Sequence, residues 1–170
     1  MRKEDELIAS CACTQIASSF EGKVHDFLNK DLDWNYIIQA SSRHGVLPLL
    51  YHNLSRSFFD EVPADVLDKL RQHFLVNVAS NLKKTAVLVK IVTLLEENGI
   101  PVVPFKGPVL AEYLYGDLGL RSFGDLDILI GEQDAAAAIN LIAASGFKPM
   151  LNLTSSQLEA YMKFEDDMVF

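Results

Sequence analysis

The hydrophobic pattern of the chain changes at Asn98-Gly99, and this change constrains the fold more than any other feature. Before it, apolar residues recur every three or four positions, the spacing of helices with one buried face. After it, short β-branched runs alternate with short helical stretches, which is typical of strands joined by helices. We therefore predict an α+β fold, with a helical segment over residues 1–98 packed on an α/β core over residues 99–170 that contains a small mixed sheet.

The helical half carries clear boundary signals. Asp33 is a typical N-cap for a helix that ends near Gly45, and Pro48 lies in the first turn of the next helix. Pro63 opens a long helix that ends at Asn98-Gly99. Its lysines Lys83, Lys84 and Lys90 are predicted to lie on a solvent-exposed face.

The second half is predicted to alternate strands and helices. Prolines in its first strand indicate an edge position or a strand end. Thr154 and Gln157 have the spacing of an N-cap and its capping-box partner. The predicted strands are Ile100–Phe105, Phe123–Ile130, Phe147–Leu151 and a segment from Asp167, and the predicted helices are Val109–Tyr115, Asp134–Ser145 and Thr154–Phe164.

Composition excludes several classes of protein. The 170 residues are 49% hydrophobic and 22% charged, enough to fill a core, so disordered and low-complexity classes are excluded. With 15 basic and 23 acidic residues the net charge is -8, which argues against a broad nucleic-acid-binding surface. A local basic pocket for phosphate is still compatible with this charge.

The sequence also bears on the cellular compartment. No apolar run reaches the ~18 residues needed to span a bilayer, and the N-terminal residues do not suit a signal peptide. Cys11 and Cys13 form no CxxC or Cys/His set, which is typical of reduced thiols. We expect a cytoplasmic protein without a membrane partner.

Asp125 and Asp127 are the central candidates for chemistry. On the predicted strand they are two residues apart, so their carboxylates project from one face at roughly 6.5–7 Å. Such a pair can hold one or two divalent cations, with substrate phosphate oxygens as further ligands. The alternative interpretation is an exposed strand face that carries two acids without a metal.

Three further residues can contribute to phosphate binding. Lys106-Gly107 lies at a predicted strand-to-helix junction, where glycine lets backbone N–H groups approach an anion and lysine adds positive charge. Arg121 lies in the loop before the two aspartates. The alternatives are an ordinary turn at Lys106-Gly107 and a salt bridge from Arg121 to Asp117 or Asp125.

The residues from Gly99 to Ile130 contain a series of linked motifs. They are Gly99-Ile100-Pro101-Val102-Val103, Phe105-Lys106-Gly107, Leu110-Ala111, Tyr115-Gly116-Asp117, Leu120-Arg121 and Gly124-Asp125-Leu126-Asp127-Ile128-Leu129-Ile130. Together these motifs resemble the uncharacterised nucleotidyltransferase family of the DNA polymerase β superfamily. The resemblance extends upstream to the segment from Arg43 to Leu50 and downstream to Gly146-Phe147.

The resemblance implies a metal-dependent transfer of a nucleoside monophosphate from a nucleoside triphosphate to a hydroxyl of an unknown acceptor, whether small molecule, protein or RNA. Asp125 and Asp127 would bind Mg²⁺ or Mn²⁺. Lys106 and Gly107 correspond to the turn that cradles the triphosphate, and Arg121 corresponds to the arginine ahead of the aspartate pair.

The sequence departs from the superfamily pattern at two points. Gly107 is followed by Pro108, which has no N–H to donate to phosphate. In this superfamily a third metal-binding carboxylate normally lies on a later strand, in this family before a His-Trp pair, and no such segment is present. We therefore expect a C-terminally truncated member; the alternative is that Asp166 or Asp167, the only late acids near a predicted strand, is the third ligand. The alternatives are a toxin-type nucleotidyltransferase and a catalytically inactive binding or scaffold module.

Overall fold

Helices make up most of the described structure. The structure is a computed structural model that describes residues 2–151, 153, 154, 157, 161 and 168–170. The α-helices are α1 (Lys3–Cys11), α2 (Ser18–Leu28), α3 (Trp34–Arg43), α4 (Leu47–Ser57), α5 (Ala64–Glu97), α6 (Gly107–Tyr115) and α7 (Ala135–Ala144). The strands are β1 (Val102–Phe105) and β2 (Asp127–Ile130), and short 3₁₀ turns cover Leu118–Leu120 and Glu132–Asp134.

The predicted boundary signals of the helical half are confirmed. The Asp33 carboxylate caps α3 by accepting a hydrogen bond from the Tyr36 N–H at 3.0 Å. Pro48 lies in the first turn of α4, and α5 begins directly after Pro63. Gly99 follows the end of α5 with a φ of +74°, a left-handed conformation that favours glycine.

The chain divides into two compact units. The first runs up to Thr85 and also includes Lys106–Leu126. The second contains Ala86–Phe105 and the described residues from Asp127 onward. Helix α5 is continuous and contributes its first part to one unit and its last part to the other.

The core of the first unit is built by α1 to α4 and the first turns of α5. Its most deeply buried side chains come from different helices, and they include Leu7, Ile37, Leu50, Leu54 and Leu70. Removal of this apolar surface from water is what holds the helices together, because each buried leucine or isoleucine contributes roughly 1.5–3 kcal/mol.

Cys11 belongs to this core, and both it and Cys13 are free thiols. Burial, and then the neighbouring Cys13, raise the pKa of the Cys11 thiol to about 12. A thiol with such a pKa remains protonated at neutral pH, so Cys11 acts as a packing residue.

The second unit contains the sheet. Within the described residues the sheet has two antiparallel strands, in which Val102 pairs with Ile130 and Phe105 with Asp127. The prediction of a small mixed sheet is therefore not met in this part of the chain. One face of the sheet packs on the core of the unit, whose buried members are Leu95, Ile100, Ala138 and Ile142, with Val102, Ile128 and Ile130 against them.

Both predicted strands of this sheet are shorter than expected. The first begins at Val102 instead of Ile100, and the second begins at Asp127 instead of Phe123. The second difference has a simple cause, because β1 ends at Phe105 and the chain then turns into α6. No β1 residue remains to pair with Asp125 or Leu126.

The C-terminal predictions are met in part. Residues 147–151 form no strand, although the Met150 N–H donates to the Val169 carbonyl at 2.8 Å. The predicted capping box is confirmed, since the Thr154 N–H donates to Gln157 Oε1 at 2.9 Å and the Gln157 N–H donates to Thr154 Oγ1 at 3.4 Å. Most of the predicted helix Thr154–Phe164 lies outside the described residues, as do Asp166 and Asp167.

None of the described helices has a stretch both long enough and apolar enough to cross a lipid bilayer.

Candidate functional site

The junction between β1 and α6 has an unusual backbone. Lys106 has a φ of 56° and a ψ of -148°, and among the described non-glycine residues it alone has a positive φ. This region of conformational space is essentially restricted to glycine, and holding another residue there costs about 1–3 kcal/mol. Gly107 follows with a φ of +40°. Backbone strain therefore lies at Lys106, the first residue of the predicted phosphate-binding turn, whereas Gly107 adopts its positive φ without strain.

The turn leads directly into the first turn of α6. Helix α6 begins at Gly107, two residues earlier than predicted, with Lys106 as its N-cap and no side chain capping the first amides. Of those amides, Gly107 and Val109 each carry an N–H, whereas Pro108 has none. Lys106 is thus followed directly by the positive end of the helix dipole and by two backbone N–H donors.

Arg121 lies close to this turn in the first unit. Its Nη1 lies 3.5 Å from the Gly107 carbonyl oxygen, a long and weak hydrogen bond that leaves most of the guanidinium donors available. Among the described residues Arg121 forms no salt bridge with Asp117 or Asp125, the two partners considered from the sequence. Asp117 instead accepts a hydrogen bond from the Gly119 N–H at 2.7 Å.

Polar side chains of α5 hold the loop that carries Arg121. Asn81 Nδ2 donates to the carbonyls of Leu118 and Arg121 at 2.6 and 2.7 Å, and Asn77 Nδ2 donates to Gly119 at 2.9 Å. Sequence reasoning missed both amides. The available signal was their spacing of four residues, which places both on one face of a helix.

Lys84 completes this set of contacts. Its Nζ donates to the Phe123 carbonyl at 2.7 Å, and the side chain is partly buried, so its predicted place on a solvent-exposed face is wrong. Lys83 and Lys90 are exposed, as expected. The difference arises because the loop after α6 packs on α5 and presents a carbonyl that needs a donor.

Asp125 and Asp127 occupy different backbone environments. Asp125 is exposed and lies in the loop before β2, with its carbonyl oxygen 3.5 Å from the point that a Cβ on Gly107 would occupy. Asp127 is the first residue of β2, half-buried, and belongs to the second unit. The prediction that both lie on one strand is therefore wrong for Asp125, because β2 starts after it.

Asp127 nevertheless has a defined orientation within its own unit. Alternate residues of a strand face opposite sides of the sheet, so Asp127 shares a side with Leu129. Leu129 is exposed, whereas Ile128 and Ile130 pack on the core. The Asp127 side chain therefore belongs to the sheet face that points away from the core.

The donor set of these residues suits a hard divalent cation. Two carboxylates can ligate Mg²⁺ or Mn²⁺ through oxygen, with water and phosphate oxygens completing the coordination. In the part of the chain that the structure describes, no group of three or more His, Cys, Asp or Glu side chains is arranged to hold a metal.

Comparison with known proteins identifies one match. A family model described as an uncharacterised nucleotidyltransferase matches residues 30–168, a span that contains Lys106, Gly107, Arg121, Asp125 and Asp127. This is the family that the sequence motifs indicate. No curated protein and no solved structure matches the chain.

Proposed function

Because the chain belongs to the uncharacterised nucleotidyltransferase family, we propose that it transfers a nucleoside monophosphate from a nucleoside triphosphate to an acceptor hydroxyl. The observation that carries this proposal is the clustering of Gly107, Arg121 and the Asp125 backbone within the first unit. These residues are 14 and 18 positions apart in the chain, counted from Gly107, and the fold brings them together. A phosphate-binding turn next to an exposed acid is what this chemistry requires.

The positive groups are proposed to bind the triphosphate. Lys106 contributes an ammonium group, and the N–H groups of Gly107 and Val109 contribute neutral donors at a helix N-terminus. Arg121 keeps free donors in a planar fork that matches two phosphate oxygens. We infer that the strained backbone at Lys106 serves to present these groups to phosphate.

Asp125 and Asp127 are proposed to hold the divalent cation. The cation would neutralise charge that develops on the phosphate during an in-line displacement. In the same step, the acceptor oxygen bonds to the α-phosphorus, the bond from the α-phosphorus to the bridging oxygen breaks, pyrophosphate leaves, and the hydroxyl proton passes to solvent. The chain position of the aspartates, four and six residues after Arg121, keeps the acidic and basic groups on one short segment.

A second candidate function has its own support. Pro108 removes one amide donor from the first turn of α6, and no cluster of three acidic, histidine or cysteine ligands occurs among the described residues. A module that binds a nucleotide without catalysing its reaction would tolerate both features. Both candidate functions require nucleotide binding, but only the first requires catalysis.

Binding is tested first, by thermal denaturation and isothermal titration with ATP, GTP, CTP and UTP, each with and without Mg²⁺ or Mn²⁺. We expect metal-dependent stabilisation by at least one nucleotide and its loss in Asp125→Asn/Asp127→Asn. Asp26→Asn/Asp60→Asn is the matched control, because it removes two negative charges from other exposed positions. Equal stabilisation of the wild type and the Asp125/Asp127 variant would contradict the metal assignment.

Catalysis is tested with α-labelled nucleoside triphosphates and a cell extract as the source of acceptor. We expect a labelled product with the wild type, and none with Asp125→Asn/Asp127→Asn. A γ-labelled nucleotide should give no product beyond that formed by the extract alone, since the γ-phosphate leaves within pyrophosphate. Sensitivity of the product to protease or ribonuclease then identifies the class of acceptor, whereas binding without any labelled product supports the second candidate.

A further inference from the structure

A groove in the first unit lies between α5 and the turn that joins α3 to α4. It has a volume of about 250 Å³, and all the residues that line it belong to this unit. The buried side chains of Leu47 and Pro48, at the start of α4, form an apolar part of its wall. The volume lies just below the ~300–1,000 Å³ of most small-molecule sites, so the groove suits a small ligand or one part of a larger ligand.

The polar lining of the groove indicates a neutral ligand. Among the described residues, no aspartate, glutamate, lysine or arginine lines it. Ser42, His73 and Ser122 contribute two hydroxyls and an imidazole, and these side chains form no hydrogen bond with other described residues. A charged ligand would find no counter-charge in this lining, whereas a neutral ligand with several donors and acceptors finds partners for them.

Two side chains of α5 in this lining have a fixed polarity. Asn77 Nδ2 donates to the Gly119 carbonyl at 2.9 Å, which leaves Asn77 Oδ1 as an acceptor. Ser80 Oγ accepts from Lys84 Nζ at 3.0 Å, because an ammonium group only donates, and the Ser80 hydroxyl hydrogen is left to donate. Asn77 and Ser80 are three positions apart on one helix face, so α5 presents an acceptor next to a donor.

A nucleoside has the chemistry that this lining would recognise. The edge of each nucleobase carries donors and acceptors side by side, and the sugar carries hydroxyls. His73 lies four positions before Asn77 on the same face of α5 and is exposed, so its ring is available to stack on a base. The apolar side chains at the start of α4 suit the flat face of a base.

The loop that carries Arg121 connects the groove to the phosphate-binding turn. Arg121 extends towards the Gly107 carbonyl, and the next residue, Ser122, lines the groove. Asn77 holds the same loop through Gly119. A nucleotide likewise joins a charged phosphate end to a neutral nucleoside end.

We propose that this groove binds the nucleoside part of a ligand. The proposal rests on the proposed nucleotidyl transfer for the source of the nucleoside, which is either the nucleoside triphosphate or a nucleoside of the acceptor. It also gives a role to the segment from Arg43 to Leu50, which carries part of the family resemblance and includes Leu47 and Pro48.

Nucleoside binding is tested by isothermal titration of the whole chain with adenosine, guanosine, cytidine and uridine, without phosphate or metal. We expect at least one nucleoside to bind, and ribose alone to bind at least about tenfold more weakly because it cannot stack. His73→Ala should weaken nucleoside binding at least about fivefold, and Ser80→Ala roughly two- to tenfold.

Gln72→Ala is the matched control, because Gln72 is exposed on α5 next to His73 and does not line the groove. It should bind nucleosides as the wild type does. Ser42→Trp is a second variant that fills the groove from α3 without removing a described side-chain hydrogen bond, and it should abolish binding. Circular dichroism melting checks that each variant is folded.

Competition distinguishes the two sources of the nucleoside. Displacement of the bound nucleoside by a nucleoside triphosphate with Mg²⁺ supports the triphosphate as its source, and simultaneous binding of both supports the acceptor. Absence of binding by all four nucleosides, binding of ribose as tight as that of the nucleosides, or equal weakening by His73→Ala and Gln72→Ala would overturn the proposal. Nucleoside binding without any metal-dependent binding of a triphosphate would instead contradict the proposed function alone.

Discussion

Lys106 occupies a backbone conformation that glycine adopts easily and lysine does not. The side chain is therefore retained at a cost of about 1–3 kcal/mol in strain. Strained backbone of this kind clusters at binding and catalytic sites, because surrounding structure must hold it in place. At the scale of a single residue, this strain is consistent with the phosphate-binding role proposed for Lys106.

Replacement of this residue should separate stability from binding. Lys106→Gly relieves the strain but adds flexibility to the unfolded chain, so we expect the free energy of unfolding to rise by about 1 kcal/mol. Nucleotide binding should weaken, because the ammonium group is lost. Urea denaturation and nucleotide titration measure the two effects.

Lys106→Ala is the control, since it also removes the charge but keeps a Cβ at the strained position. It should weaken nucleotide binding to a similar extent without the gain in stability. A gain of equal size in both variants would show that the backbone at Lys106 is not the source of the effect.

At the scale of elements, α5 supports the loop between α6 and β2. The Asn81 side chain is 1% exposed and donates two hydrogen bonds to loop carbonyls, one of them that of Arg121. Its own Oδ1 accepts no hydrogen bond within the described residues. Both amide hydrogens are therefore committed to holding the loop, and the position of Arg121 depends on them.

Asn81→Asp should destabilise the protein strongly. The substitution replaces a double donor with a carboxylate that faces two carbonyl oxygens in a buried position, at a cost of about 3 kcal/mol. Asn140→Asp provides the comparison, because Asn140 is exposed on α7, and it should change stability by less than about 0.5 kcal/mol. Similar urea midpoints for the two variants would contradict the role assigned to Asn81.

At the scale of the whole molecule, charge couples stability to pH. The Tyr36 hydroxyl on α3 donates to Asp5 Oδ1 on α1 at 2.7 Å. That hydrogen bond, as the largest cause, holds the pKa of the Asp5 carboxyl below its ordinary value. The folded state thus favours the ionised carboxylate more than the unfolded state does, which links α1 to α3 by a bond that acid removes.

The lowered pKa of Asp5 fixes the direction in which stability changes with pH. A lowered folded-state pKa contributes stability above the unfolded pKa of about 3.9, and the contribution is lost as the pH falls through the folded value. Tyr36→Phe should therefore lower the melting temperature at pH about 6, and its difference from the wild type should shrink as the pH falls below about 3.9. Tyr113→Phe removes an exposed hydroxyl and should run parallel to the wild type throughout. A constant difference between Tyr36→Phe and the wild type would contradict the linkage.

Local signals in the sequence were sufficient for much of the fold. Asp33, Pro48, Pro63 and Gly99 mark helix boundaries through chemistry that acts within a few residues, namely capping, a missing N–H and a positive φ. The motifs from Gly99 to Ile130 likewise indicated the family that the chain belongs to. Such features depend on neighbours in the chain, so the sequence alone determines them.

Only the tertiary structure decided the features that depend on distant partners. Strand β2 starts at Asp127 because β1 has no residue to pair with Asp125, and alternation of side chains cannot reveal where a partner ends. Lys84 donates to the carbonyl of Phe123, 39 residues away in the chain, and Asn81 donates to that of Arg121, 40 residues away. Hydrophobic periodicity identifies a helix and its possible faces, but packing decides which face is buried and which remains exposed.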